Sequence, residues 1–461
     1  MISFIKKIIF ILVCIGFFGC MPKIPNLPED SYVELDLKQD TGMINKNWWE
    51  SFGDKKLLEL LRLAHMYNTQ DKLAKNKINA AKAALKVASA SFYPKIDLKT
   101  NPEYSKNFLH PLYGFIDVGI DVDYHLDIFG KYRHIKKAKE YELKAQIANS
   151  YATSLSVDMI VAKAYFKLLA LKEQLFLLQN MLKLRGEKLK IVKEQEKWGY
   201  ISDYDTKQTT IEYENLKTKL QDINLSIIKT QNAIEYLTGK NIEIKNLDSN
   251  QSIKSIFDLK IPYLPKELSS RLLNNRPDVL MAEFILASSD EMLKKARKDF
   301  LPDFNLDFNF STVGLHNFTQ YLFFGGIAGS ILTPIFRGGE LDGKFDMANA
   351  ERMQAAYIYR DVVIKAYQES KDSYASLKFL DLKLKNAKYE TRELKSALSH
   401  IENRYKEGYS SYIELLNSKY ALMEKKLENI SLKNMYLESL INLYGALGGS
   451  LELREAIDKF K

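Results

Sequence analysis

The run Phe115-Ile116-Asp117-Val118-Gly119-Ile120-Asp121-Val122-Asp123-Tyr124-His125-Leu126-Asp127-Ile128-Phe129-Gly130 alternates apolar and polar residues without a break from Ile116 to Asp127. A strand points successive side chains to opposite faces, so one face here is apolar and the other carries Asp117, Asp121, Asp123 and Asp127. Taken alone, this is the pattern of a half-buried strand in any soluble sheet. It is also the pattern of a transmembrane barrel strand, where a charge on the lipid side costs up to roughly 2–4 kcal/mol and carboxylates must face a wet lumen. The rest of the chain decides between the two.

Upstream, Trp48-Trp49-Glu50-Ser51-Phe52-Gly53-Asp54 opens a helical pattern with Asp54 as N-cap, running to about Ser91 and stopped by Phe92-Tyr93-Pro94. Ile96-Asp97-Leu98-Lys99 begins a first strand near residues 95–102, and a polar loop holding Pro102 and Pro111 leads to the strand at 115–128. Downstream, Lys131 to Trp198 is an unbroken helical pattern that would extend on the order of 100 Å. Within it Ala138, Tyr141, Ala145, Ala148, Ala152, Leu155, Met159, Ala162, Phe166 and Leu169 recur at spacings of three and four. That is a heptad seam, and its many alanines imply close helix approach. Gly199-Tyr200 turns the chain, and a helix from Ser202 to Leu237 closes the hairpin at Thr238-Gly239.

The same order then recurs about 208 residues further on, the mark of an internal duplication. A helix over Glu267–Lys298, interrupted near Arg276-Pro277, ends at Phe300-Leu301-Pro302; strands follow near 303–312 and 321–335. In the first, Phe304, Leu306, Phe308 and Phe310 oppose Asp303, Asn305, Asp307 and Asn309. Phe336-Arg337-Gly338 answers Phe129-Gly130, and a second long helix from Glu340 to Glu407 turns at Gly408-Tyr409 and returns to Leu447-Gly448-Gly449. Residues 53–239 thus read as a first repeat, 240–265 as a linker, 266–449 as a second repeat and 450–461 as a tail.

At the N-terminus, Lys6 and Lys7 precede an apolar run from Ile8 to Phe18 that ends at Gly19-Cys20. This reads as a secretory signal over residues 1–19, and Gly19-Cys20 resembles the lipobox of bacterial lipoproteins, which makes Cys20 the lipidated first residue of an extension over 20–52. Met21 follows it, so the aspartate of an inner-membrane retention signal is absent and the outer membrane is the expected address. Cys14 and Cys20 are the two cysteines of the chain, so no thiol is left for disulfides or metal chemistry. With 46% hydrophobic and 27% charged residues the chain buries ample core. The net charge of +9 is spread along helices with glutamate interspersed, which describes a solvated helix face and not a nucleic-acid site.

Four membrane-type strands cannot close a barrel, since closed transmembrane barrels begin at eight. The chain must oligomerise. Three copies supply twelve strands, and also twelve helical columns if each short helix stacks end to end with another beside the long ones. A barrel continued by a helical tube is a conduit.

Several stretches resemble motifs of the outer-membrane factors of the TolC type, specifically the lipoprotein branch serving tripartite drug efflux: 48–54, Leu126-Asp127-Ile128-Phe129-Gly130-Lys131, Leu272-Leu273-Asn274-Asn275-Arg276-Pro277-Asp278, Pro334-Ile335-Phe336-Arg337-Gly338-Gly339 and Arg404-Tyr405-Lys406-Glu407-Gly408. The resemblance spans Cys20 to about Gly449 in order. It implies a mainly α fold with a transmembrane β-barrel: a homotrimer with a twelve-stranded barrel in outer-membrane lipid and a twelve-helix periplasmic α-barrel. It further implies docking on a periplasmic adaptor and an inner-membrane pump of the resistance-nodulation-division (RND) type.

By the matching motif, Arg404, Tyr405, Glu414 and Asn417 fall at the periplasmic gate. The family has acidic residues at both positions matching Glu414 and Asn417; here the second is an amide, so one carboxylate ring is expected where the family has two. The hairpin tips Gly199, Tyr200, Gly408 and Tyr409 match the adaptor contacts, although each glycine also reads simply as a helix C-cap. No catalytic residue, metal or cofactor is expected. His65, His110, His125, His134, His316 and His400 lack ligand spacing, and same-face residues along a strand stand about 7 Å apart, too far for a row of aspartates to converge on an ion. Two other classes stay open: the exit duct of a type I protein secretion system, and a lipid-anchored coiled-coil scaffold without a pore.

Overall fold

The computed structural model describes residues 21–32, 44, 47–107, 110–239, 255–263, 273–315, 320–449 and 453–459. The signal at 1–19, Cys20, most of the lead up to residue 46, residues 240–254 and 264–272 of the linker region, His316 and the 450–452 junction lie outside them. In chain order the elements are α1 (Lys55–Tyr67), α2 (Thr69–Ala90), β1 (Lys95–Asn107), β2 (His110–Leu126), α3 (Lys131–Lys197), α4 (Asp203–Thr238), α5 (Pro277–Lys298), β3 (Asp303–Leu315), β4 (Gln320–Leu332), α6 (Glu340–Lys406), α7 (Tyr412–Ala446) and α8 (Leu453–Asp458). The order helix, two strands, long helix, shorter helix occurs twice, and α3 and α6 are each 67 residues long. No helix among the described residues is long and apolar enough to cross a membrane.

The chain forms two compact units, and each draws on both halves of the sequence. One comprises Met1–Glu34, Asn76–Ala148 and Leu280–Val362; the other comprises Leu35–Lys75, Asn149–Val279 and Val363–Lys461.

The first unit is organised by a four-stranded antiparallel sheet in the order β1-β2-β3-β4. Its register puts like with like. Leu98, Ile120, Phe310 and Gly325 run across one face, while Asp97, Asp121, Asn309 and Gly326 run across the other. A slip of one residue would exchange the faces, so the alternation of β2 and β3 fixes the pairing. The apolar row is open to the surroundings: Leu98 is 73% exposed, Phe323 70% and Ile327 75%, an arrangement that water penalises and lipid does not. Below the sheet a small core of Leu293, Ala296, Phe345 and Ala348 receives Ile24 from the N-terminal lead.

The second unit holds the largest core. Trp48 and Phe52, both fully buried, pack with Tyr165, Phe166, Leu440, Ile441 and Tyr444; the Trp48 ring stacks on Tyr444 at 4.0 Å. Asp54 caps α1 by accepting from the amides of Lys56 (2.8 Å) and Leu57 (3.4 Å), and its other oxygen accepts the Tyr165 hydroxyl at 2.7 Å. Here the burial of Ala162, Phe166 and Leu169 follows the heptad seam of α3, as that of Ala145 and Ala148 does on the part of α3 in the first unit.

Two junctions in this unit place one helix on the end of another. Asn68 donates Nδ2–H to the Leu237 carbonyl at 2.8 Å while its Oδ1 accepts from Gln70 N at 2.8 Å, so one side chain closes α4 and opens α2. Gly239, at φ +62, lets the backbone pass against Tyr67, where a Cβ would stand 2.8 Å from that residue's Cβ. At the second junction the buried Arg276 donates Nη1–H to the Ala446 carbonyl at 2.7 Å, ending α7 just where α5 begins. A cation at a helix C-terminus also complements the helix dipole.

Two expectations change. The helix read from Asp54 to Ser91 is two helices broken at Asn68, because Asn68 serves the junction. The loop assigned to Pro102 and Pro111 is strand: Pro102 sits on β1 opposite Ile116 of β2, and Pro111 lies at the irregular end of the β1–β2 pairing. The helix read over Glu267–Lys298 with an interruption near Arg276-Pro277 runs unbroken from Pro277, the favoured first-turn position for proline, to Lys298, while its start at 267–272 lies outside the described residues.

Candidate functional site

Of the four aspartates read onto the wet face, Asp117, Asp121 and Asp123 lie on β2 and share that face with Asp97, Lys99, Asn305, Asp307 and Asn309. Lys99 pairs with Asp121, and His125 Nε2 lies 3.5 Å from Asp123 Oδ2. Asp127 is one residue past the strand and caps α3: its carboxylate accepts from the amides of Tyr132 (3.1 Å) and Arg133 (3.0 Å), and from Arg133 Nε at 3.2 Å. Among the described residues no cluster of three histidine, cysteine or acidic side chains forms a metal site.

The hairpin ends are built alike. Gly199 (φ +74) and Gly408 (φ +83) turn the chain with open space around them, and Tyr200 and Tyr409 stand out at 80% and 75% exposure. The returning helices start on serine caps. Ser202 forms a capping box with Asp205, and Ser411 accepts the Glu414 amide at 3.1 Å. Arg404, Tyr405 and Glu414 gather at the second end: Arg404 Nη1 is 4.0 Å from Glu414 Oε1, Arg404 Nη2 donates to the Tyr409 carbonyl at 3.2 Å, and Ser410 Oγ donates to Glu414 Oε2 at 2.9 Å. Asn417 lies one turn further along α7 and is exposed.

Sequence reading missed the contacts that tie the two hairpins together. Tyr405 packs against Tyr412, with ring centroids 5.5 Å apart, and the Tyr412 hydroxyl donates to Glu187 Oε2 on α3 at 2.9 Å. That bond raises the Tyr412 phenol above its ordinary pKa. Two turns along α7, Arg185 lies over the Tyr420 ring at 3.8 Å and pairs with Glu212 of α4 at 3.0 Å. The partners are 225 residues apart in sequence for Tyr412 and Glu187, and no local motif marks them.

The lead after Cys20 is also pinned. Arg352 donates Nη1–H to the Pro25 carbonyl at 2.9 Å, and Tyr357 donates to Asp30 at 3.0 Å, so the lead runs along α6 in the same direction as the helix. Arg352 in turn pairs with Asp290, which shares Lys294 with Glu291, and Glu291 meets His134 at 2.6 Å. Burial opposes charge on Glu291, yet the bonds from Lys294 and His134 hold its pKa below the usual carboxylate value.

A sheet divided into an oily and an acidic face, carried by a chain of long paired helices, is the build of an outer-membrane channel. Residues 72–240 and 268–449 match the outer membrane efflux protein family, and the chain belongs to that family. It is 24% identical over 416 residues to the probable outer membrane lipoprotein SilC of Salmonella typhimurium, covering 89% of this chain and 88% of the relative. It is 23% identical over 423 residues to the cation efflux system protein CusC of Escherichia coli K12, covering 88% and 89%. The open-state MtrE outer membrane channel of Neisseria gonorrhoeae superposes with a TM-score of 0.80 at 24% identity, over 94% of this chain and 98% of that one. The protein is an outer-membrane efflux channel and not an enzyme.

Proposed function

We propose that three copies of this chain form the exit duct of a tripartite efflux pump. The observation that carries this reading is the sheet: one face apolar and exposed, the other acidic, with β1 and β4 as edges that have no second neighbour among the described residues. Such edges demand pairing. Joining β4 of one copy to β1 of the next closes twelve strands around a polar lumen, with lipid outside. The junctions at Asn68 and Arg276 support the companion reading of four helical columns per chain, α2 on α4, α5 on α7, α3 and α6, hence twelve in a trimeric tunnel.

In this reading the duct is passive, and an inner-membrane RND pump supplies the energy through a periplasmic adaptor that meets Gly199-Tyr200 and Gly408-Tyr409. The gate lies at the second hairpin end, where Arg404, Tyr405 and Glu414 converge and where Tyr412 reaches across to Glu187. The lipid on Cys20 holds the lead in the outer membrane. A photoreactive residue in place of Tyr200 or Tyr409, crosslinked in cells, is expected to capture an adaptor together with a proton-driven pump. Capture of an ATP-driven exporter would assign the duct to protein secretion instead.

A further inference from the structure

A groove of about 750 Å³ runs between α3, the α5–α7 junction and α6. On α3 it is lined by Ser156, Ile160 and Lys163, on the far side of the helix from Val157, Val161 and Tyr165 of the Trp48 core. Its volume is in the range of small-molecule sites. Four carboxylates line it, Asp278, Glu369, Asp372 and Glu438, against two cations, Arg276 and Lys163. Arg276 is committed to Asp278 (2.7 Å) and Glu369 (2.8 Å). Asp372 is exposed and has no hydrogen bond or ion pair among the described residues. Glu438 accepts one bond, from Asn434 at 2.8 Å.

The apolar wall is Ile160, Leu380, Met159 and Met435, and Met435 is 50% exposed. Methionine adapts its shape to varied apolar partners. Ser439 supplies a separate observation. It is 6% exposed, lines the groove, and its Oγ has no hydrogen-bond partner among the described residues. A buried hydroxyl without a partner is rare, because leaving it unpaired costs desolvation. Here it offers an acceptor to whatever N–H group enters.

We propose that this groove binds amphipathic organic cations, an inference that rests on the efflux-duct reading above. The positive group lies at Asp372 and Glu438, an N–H of the ligand reaches Ser439 Oγ, and the apolar body covers Ile160, Leu380 and Met435. Lys163 is compatible with this: burial lowers its pKa, and its amine donates to Asn442 Oδ1 at 2.5 Å rather than meeting the ligand. The groove lining does not include Arg404, Tyr405, Glu414 or Asn417.

The test is equilibrium binding of ethidium, an aromatic cation bearing N–H groups, to the purified full-length protein, read by fluorescence anisotropy. Saturable binding is expected. Asp372→Asn and Ser439→Val should each weaken it about tenfold, the loss of one charge-assisted hydrogen bond, while the uncharged probe N-phenylnaphthylamine keeps its affinity for Asp372→Asn. A circular-dichroism spectrum identical to wild type confirms that each variant is folded. Unchanged ethidium affinity in Asp372→Asn overturns the site, as does its loss in Glu414→Gln, which would put the cation at the gate. No binding to a wild-type protein that forms channels also overturns it, and leaves the channel reading intact.

Discussion

Replacing Tyr412 by phenylalanine removes one oxygen and keeps the ring against Tyr405, so it isolates the 2.9 Å bond to Glu187. A hydrogen bond to a charged acceptor contributes about 1.5–3 kcal/mol when water is excluded. Tyr412 is 38% exposed, so solvent competes and about 1 kcal/mol is the working figure. In a trimer whose three ends open together the loss is about 3 kcal/mol, which shifts the closed-to-open ratio on the order of a hundredfold. The assay is the open-time fraction of single channels in a planar bilayer. Tyr412→Phe should open far more often than wild type, Tyr412→Leu more again because the stack with Tyr405 goes too, and Glu187→Gln should fall between Tyr412→Phe and wild type. Wild-type open fractions in both Tyr412→Phe and Glu187→Gln would remove this contact from the gate.

Further outcomes follow from the same geometry. His65 bonds Asp158 and Asp71 at 2.8 Å each, and the hydrogen bond to Asp158 is the largest cause raising its pKa from 6.5 to about 9. A raised folded-state value gives stability that is whole below about pH 6.5 and lost as pH rises through about 9; the half-exposed ring limits it to about 1–2 kcal/mol. Thermal melts should therefore weaken between pH 7 and pH 9.5 in wild type and stay flat in His65→Asn. Gly239→Ala puts a Cβ 2.8 Å from Tyr67 Cβ in a left-handed backbone, whereas Gly408→Ala meets only the backbone cost of about 1 kcal/mol, so melting should fall further for the first. Ile120→Asp sets a charge on the apolar face and Asp121→Asn only neutralises the wet one. Membrane insertion, read by heat-modifiable migration on gels, should fail for Ile120→Asp alone, and equal behaviour would contradict the assignment of faces.

Much of this was legible in the sequence because the physics is local. The alternation in β2 and β3 sets side-chain direction residue by residue, and the glycines at 199 and 408 mark turns that few other residues accept. What escaped was decided at a distance. Asn68 looks like an ordinary polar residue inside a helical pattern; only the arrival of Leu237 makes it a double cap. Pro102 argues against a strand until its place opposite Ile116 of β2 is known. The second hairpin end illustrates both sides: Arg404, Tyr405 and Glu414 share one short stretch that a motif resemblance marks, while Glu187 and Arg185 lie on α3 and are brought to Tyr412 and Tyr420 by helix packing alone. Asp127 shows how an unbroken pattern overruns its element, since the alternation continues for one residue after the strand has ended and that residue caps α3.

The most direct test of the central claim is the current carried by the purified full-length protein in a planar lipid bilayer. Three copies that close twelve strands around an acidic lumen predict discrete, long-lived steps of uniform conductance. A folded protein that inserts into the bilayer and passes no such steps would contradict the account.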